Sequence, residues 1–116
     1  MFRSMLKSKI HRATVTDCDL HYEGSIALDP ALMEAADLLE YEKVLVADVD
    51  NGARFETYVI RGTEPGQVML NGAAARRVMK GDRIIVMAFA LVPESEAASR
   101  KPRVVLLDEA NKPVKD

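Results

Sequence analysis

The sequence has no tryptophan and only one cysteine, and aromatic residues make up 5% of it. A lone thiol cannot close an internal disulfide, so packing alone must hold the fold, as expected in a reducing cytoplasm. No apolar run approaches the roughly 20 residues that a membrane-spanning helix needs. The opening stretch, MFRSMLKSKIHR, mixes charged and apolar residues and has no apolar block like that of a signal peptide. Neither charge predominates: 16 basic against 18 acidic residues leave a net charge of −2. There is thus no basic excess to favour nucleic acid or an anionic membrane surface. GxGxxG, P-loop, HExxH and CxxC patterns are all missing. So are internal repeats and low-complexity tracts.

What remains is an ordinary globular composition, 48% hydrophobic and 29% charged over 116 residues, enough for one domain with a real core. Residues 2–16 are rich in extended-compatible types and read as one or two strands ending at Asp17-Cys18-Asp19. Residues 20–28 read as a further extended segment. Asp29-Pro30 starts a helix, with aspartate as N-cap and proline at the first helical position. Leu32, Ala35, Ala36 and Leu39 carry it at helical spacing to about Leu38–Glu40. KVLVADV and ARFETYVI flank Asp50-Asn51-Gly52, a turn sequence that tolerates positive φ, and so form a hairpin. RGTEPG (61–66) is a loop, QVMLN a short strand, and GAAARRVM (72–79) a short helix or helical turn. RIIVMAFALV (83–92) is a long β run ended by Pro93; residues 94–100 allow one helical turn, and RVVLL (103–107) a last strand. Residues from about 108 to 116 read as a frayed tail.

Many short strands, two short helices and no strand–helix alternation point to a small, mainly β barrel. IIVMAFALV is apolar on both faces, so its outer face must be covered by a helix or another subunit. Asp17, Cys18, Asp19 and His21 offer a metal-like spacing without the second pair that would complete a site; a turn and a strand explain them better. Cys18 lacks the cationic setting of a reactive thiol. Arg76-Arg77 could touch phosphate, but two adjacent arginines on a short helix read better as a solvated face or an intersubunit ion pair. The six methionines are scattered and read as core filler.

One dipeptide stands out. Gly24-Ser25, within LHYEGS, interrupts an extended segment, and glycine weakens a strand interior. Taken alone, it reads as a bulge. Taken with KIHRATVT, ARFETYVI and NGAAAR, it resembles the pyruvoyl-dependent aspartate 1-decarboxylase family from Met1 to about Pro93. The resemblance implies a six-stranded double-psi β-barrel with short capping helices and a homotetramer in the cytoplasm. It also implies conversion of L-aspartate to β-alanine and CO2 for pantothenate and coenzyme A synthesis, and it allows for a maturation helper protein.

The chemistry implied by that family is consistent with these residue types. Decarboxylation at an amino acid's α-carbon needs an electron sink. A pyruvoyl group made from the chain itself supplies one, its ketone forming a Schiff base with the substrate. Ser25 would attack the Gly24 carbonyl, form an ester, eliminate and hydrolyse to pyruvoyl, leaving chains 1–24 and 25–116. Gly24 would allow the attacked carbonyl to bend. The resemblance makes Tyr58 the acid that reprotonates the α-carbon and Thr57 a donor to the oxyanion of self-cleavage. Arg54 would hold a substrate carboxylate as a bidentate fork, with Lys9 as a second partner. Gly72, Ala73 and Ala74 would present backbone N–H groups, and Asn71 would fix the new carbonyl; Tyr22 and His11 would wall the site. Thr57 and Tyr58 alternate faces on one strand, so both can act only if a bulge or subunit boundary intervenes. Two competing readings are a non-catalytic, uncleaved barrel that binds a ligand or protein, and a DNA-binding relative disfavoured by the acidic balance.

Overall fold

The computed structural model describes residues 1–114. Nine strands are present among them, in chain order β1 (Phe2–Thr14), β2 (Asp17–Asp19), β3 (Ser25–Leu28), β4 (Lys43–Asp48), β5 (Arg54–Arg61), β6 (Val68–Asn71), β7 (Arg83–Pro93), β8 (Arg103–Leu107) and β9 (Pro113–Val114). Two short helices, α1 (Pro30–Ala35) and α2 (Glu94–Ala97), and a 3-10 turn at Gly72–Arg76 complete the fold. The fold is mainly β, as the turn-punctuated alternation predicts. The strand count exceeds the expected six, and the hydrogen-bonded order, β2-β6-β3-β5-β4-β7-β1-β8-β9, does not close into a ring.

That order nevertheless has to curl. β2 and β1 lie six places apart in it, which in a flat sheet is about 29 Å. Only Val15 and Thr16 separate them in sequence, and three Cα–Cα steps reach at most about 11 Å. The link is itself anchored: Val15 N donates to Asp82 O at 2.9 Å, and Thr16 N donates to Val68 O at 2.8 Å. The enclosed side carries the core, with Ile10, Ile26, Leu28, Leu32, Leu70 and Ile84 fully buried. Each such side chain stabilises the fold by about 1.5–3 kcal/mol relative to exposure.

The local signals act as expected. Asp29 caps α1 through Ala31 N at 2.9 Å, and its other carboxylate oxygen accepts from Gly66 N at 2.7 Å. The Gly66 bond is the main cause holding the Asp29 carboxyl below its usual range, against the opposing effect of burial. The helix stops earlier than its periodicity suggests, at Ala35. Asp37 turns left-handed (φ 55°), and Leu38 N bonds back to Met33 O at 2.8 Å, closing the helix end. The β4–β5 hairpin forms with Gly52 at φ +78°, in unbroken register from Lys43–Tyr58 to Ala47–Arg54.

The C-terminal tail departs from the expectation of fraying. β9 pairs with β8, and Asn111 is buried; its Nδ2 donates to Thr14 O and Gly66 O, and its Oδ1 accepts from Thr14 N. Residues 115–116, which the same expectation covered, lie outside the described residues. The outer face of β7 keeps Phe89 and Leu91 exposed, alongside Phe2 on β1 and Val104 and Leu106 on β8.

Candidate active site

Ser25 opens β3, opposite Asn71 at the end of β6. It is 1% exposed. Its Oγ donates to Glu23 O at 3.0 Å and accepts from Asn71 Nδ2 at 3.1 Å. The buried Oδ1 of Asn71 has no partner. A second acceptor-rich group could not use that oxygen, but an N–H or O–H created beside Ser25 could. Asn71 therefore holds the serine hydroxyl with one end and keeps an unfilled acceptor at the other.

Two clefts flank the Gly24–Ser25 bond. The larger, about 370 Å³, is lined by Gly24, Phe55, Thr57, Tyr58, Ala73, Ala74 and Arg77, with Glu56 at its side. The smaller, about 240 Å³, is lined by Ser25, Tyr22, Tyr58, Tyr41 and Arg61 among others. Tyr58 borders both, and its ring lies 6.4 Å from that of Tyr41, tilted by 45°. Thr57 and Tyr58 meet the same cleft although no bulge interrupts β5 against β4. The reason lies on the other edge of β5, whose pairing with β3 begins only at Ile26–Val59. Alongside Thr57 and Tyr58 that edge is open. A cleft beside an edge can touch consecutive residues, whereas one over a face touches alternate ones.

Against the Gly24 backbone the tight fit is at Gly72, where the 3-10 turn begins. Its φ is +66°, and a Cβ there would stand 2.6 Å from Gly24 Cα, 2.7 Å from Gly24 N and 3.0 Å from Tyr22 O. Any side chain at 72 must push the Gly24 backbone away. Gly24 itself is less constrained than the sequence suggests. It is absent from the positive-φ residues, and a Cβ on it would meet only Asn71 O, at 4.0 Å. The steric demand for glycine thus sits across from the bond rather than on it.

Three expected residues are elsewhere in the chain. Lys9 lies on β1, paired with Met87 and Val104, and lines neither cleft. His11 lies on the same strand, next to the irregularity between Ile10 and Ala13 and beside Arg12 at φ 60°. Its Nδ1 is buried without a partner, and burial, with Lys9 and Arg12 nearby, lowers its pKa below the usual value. Arg54 is exposed at the far end of β5, opposite Ala47. Arg77 lines the larger cleft and Arg61 the smaller. The Arg76-Arg77 pair was visible in the sequence as a possible anion contact, but nothing in its spacing distinguishes a cleft wall from a solvated face. Cys18 is half-buried on β2, where burial pushes its thiol up, in keeping with an unreactive residue.

The aspartate decarboxylase family model matches residues 1–114. The chain belongs to the aspartate decarboxylase family. It is 62% identical to the aspartate 1-decarboxylase of Syntrophus aciditrophicus, across 96% of this chain and 97% of that protein. It is 59% identical to that of Clostridium novyi, across 93% of this chain and 89% of the relative. The aspartate 1-decarboxylase of Lactiplantibacillus plantarum is 57% identical, across 97% of this chain and 87% of its own. Membership extends about twenty residues beyond Pro93, where the motif resemblance ends. No helix among the described residues is long and apolar enough to cross a membrane.

Proposed function

We propose that this chain decarboxylates L-aspartate to β-alanine and CO2, feeding pantothenate and coenzyme A synthesis, after cutting itself at Gly24–Ser25. The observation that carries the reading is the junction itself. A buried serine hydroxyl, held by Asn71 and flanked by two clefts that share Tyr58, sits at a bond whose scission would yield a pyruvoyl group.

In the cut, Ser25 Oγ leaves the Glu23 carbonyl and attacks the Gly24 carbonyl carbon. The C–N bond breaks as the ester forms, and the nitrogen of Ser25 takes the hydroxyl proton. Loss of the α-proton and of the Gly24 carboxylate leaves a dehydroalanine. Addition of one water and release of ammonia give the pyruvoyl terminus. Thr57 shares a cleft with Gly24, which supports it as the donor to the oxyanion.

The residues present fit that group: Asn71 Nδ2, which donates to Ser25 Oγ, could donate to a carbonyl formed there, and open clefts adjoin the bond on both sides. A pyruvoyl group supplies a ketone for the substrate amine and a carbonyl that accepts the electrons left by the departing carboxylate. Tyr58 supplies a phenol to return a proton to the α-carbon. Gly72, Ala73 and Ala74 offer backbone donors with little side-chain bulk. Tyr22 walls the smaller cleft.

Lys9, His11 and Arg54 line neither cleft of a single chain, which supports a homotetramer in which a neighbouring copy brings them in. The exposed Phe2, Phe89, Leu91 and Val104 give such neighbours an apolar surface to cover. A double-psi arrangement of the curled sheet and a cytoplasmic setting belong to the same reading.

Intact mass of the purified full chain tests it. Fragments 1–24 and 25–116 are expected, the second blocked at its N-terminus, with CO2 released from aspartate. Ser25→Ala is expected to stay whole and inactive. A parental chain that stays whole after warming, and after addition of a soluble cell extract as a source of a maturation helper, overturns the reading; so does a Ser25→Ala chain that still splits at 24/25.

A further inference from the structure

Away from the clefts, three carboxylates converge. Asp48 ends β4, Asp50 lies in the turn that follows, and Asp82 immediately precedes β7. A ligand oxygen from each lies within 4.8 Å of the others. Asp48 is 2% exposed, and its Oδ2 has no hydrogen-bond partner. Its Oδ1 is occupied by Asp50 N at 2.8 Å and Asn51 N at 3.3 Å. Asp50 Oδ2 accepts from Arg83 N at 2.7 Å, and Asp82 Oδ2 from Met79 N at 3.0 Å. Each carboxylate is therefore oriented through one oxygen, while the other has no backbone donor. Among the described residues no ion pair involves any of the three. Burial, and then the side-chain hydrogen bond that a protonated Asp48 would make with Asp82, push the Asp48 carboxyl up to about 6.

A buried carboxylate oxygen without a donor is costly. Two carboxylates could share one proton, but three around one space, all oxygen and all anionic, match a hard divalent cation better. Oxygens around a calcium ion, each 2.3–2.6 Å from it, stand at most about 5 Å apart, and the three oxygens here all lie within 4.8 Å of one another. We infer that Asp48, Asp50 and Asp82 bind a hard divalent cation, with calcium the best fit, which ties the β4–β5 turn to the start of β7. The tie reaches toward the larger cleft: Asn51 Nδ2 donates to Arg77 O at 2.9 Å, and Arg77 lines that cleft.

The test uses the full chain after chelator treatment, titrated calorimetrically at neutral pH with calcium chloride, with magnesium chloride as a second arm and sodium chloride as the control. One ion per chain is expected, with a Kd on the order of 10⁻⁴–10⁻³ M. At a tenfold excess over Kd the thermal midpoint should rise by about 5–7 °C. Asp50→Asn alters an exposed side chain and should fold, with binding weakened at least about tenfold. Asp82→Asn should do the same; if it fails to fold, Asp50→Asn decides alone. Uptake of either divalent ion that is lost in Asp50→Asn sustains the site. No uptake by the parental chain overturns it, as does uptake unchanged in both variants. A calcium-inert parental chain whose thermal midpoint is raised by Asp48→Asn also overturns it, because a shared proton then satisfies the buried oxygen.

Discussion

Residues 20–24 and residues 25–29 are neighbours in sequence and opposites in environment: the first five are all exposed and the next five all buried. The change falls on the Gly24–Ser25 bond. On one side the residues are exposed at the surface of a cleft. On the other, Ser25 is locked into β3 between β5 and β6. A rearrangement that must bend one carbonyl while holding one hydroxyl still is well served by that asymmetry. The acidic residues are arranged differently. There the stored cost is electrostatic, in one buried carboxylate oxygen lacking a donor, and no bond is placed to relieve it.

Three substitutions would break or sharpen this contrast. The largest effect is expected from Gly72→Ala. A methyl group 2.6 Å from Gly24 Cα must displace the exposed side of the junction, and φ +66° adds strain of about 1–3 kcal/mol. Self-cleavage followed by intact mass should slow by about 100-fold, because misplacement by an ångström can cost that much. Cleavage at the parental rate would show that the contact across the bond is idle. Asn71→Ala acts on the buried side. It removes the donor to Ser25 Oγ, and urea unfolding should register a loss of about 1–2 kcal/mol, with slower cleavage. Parental stability together with parental cleavage would remove Asn71 from the site. Gly24→Ala should change least. Its new methyl group meets only Asn71 O at 4.0 Å, so folding should shift by less than about 1 kcal/mol. A collapse of folding at this position would move the steric constraint back onto Gly24.

Legibility from the sequence followed the range of the interaction involved. The hairpin at Asn51-Gly52, the cap at Asp29-Pro30 and the long β7 run are local, and alternation and turn chemistry expose them. The strand order is not local. Nothing in β3 announces parallel pairing with β5 and antiparallel pairing with β6. Ser25, Thr57, Tyr58, Ala73 and Ala74 were legible only through the family motifs, since each alone has an ordinary reading. Gly72 was picked out for its backbone N–H, while its closest contact, with Gly24, depends on two segments meeting in space. Arg77 was missed as a wall for the same reason, and the Asn111 clasp because an asparagine in a lysine-rich tail looks solvated. The acidic cluster joins positions 34 residues apart, Asp48 and Asp82, which no spacing rule links.

β1 lies between β7 and β8, antiparallel to the first and parallel to the second. A chain cut after Gly24 therefore keeps its N-terminal fragment as an inner strand, held by neighbours on both edges. The mature molecule would be a two-piece assembly whose pieces part only when the sheet opens. Its unfolding would then depend on protein concentration, while that of the uncut precursor chain considered alone would not. Refolding would need two fragments to find each other, so the ease of assembly present at synthesis would be given up at the moment of activation.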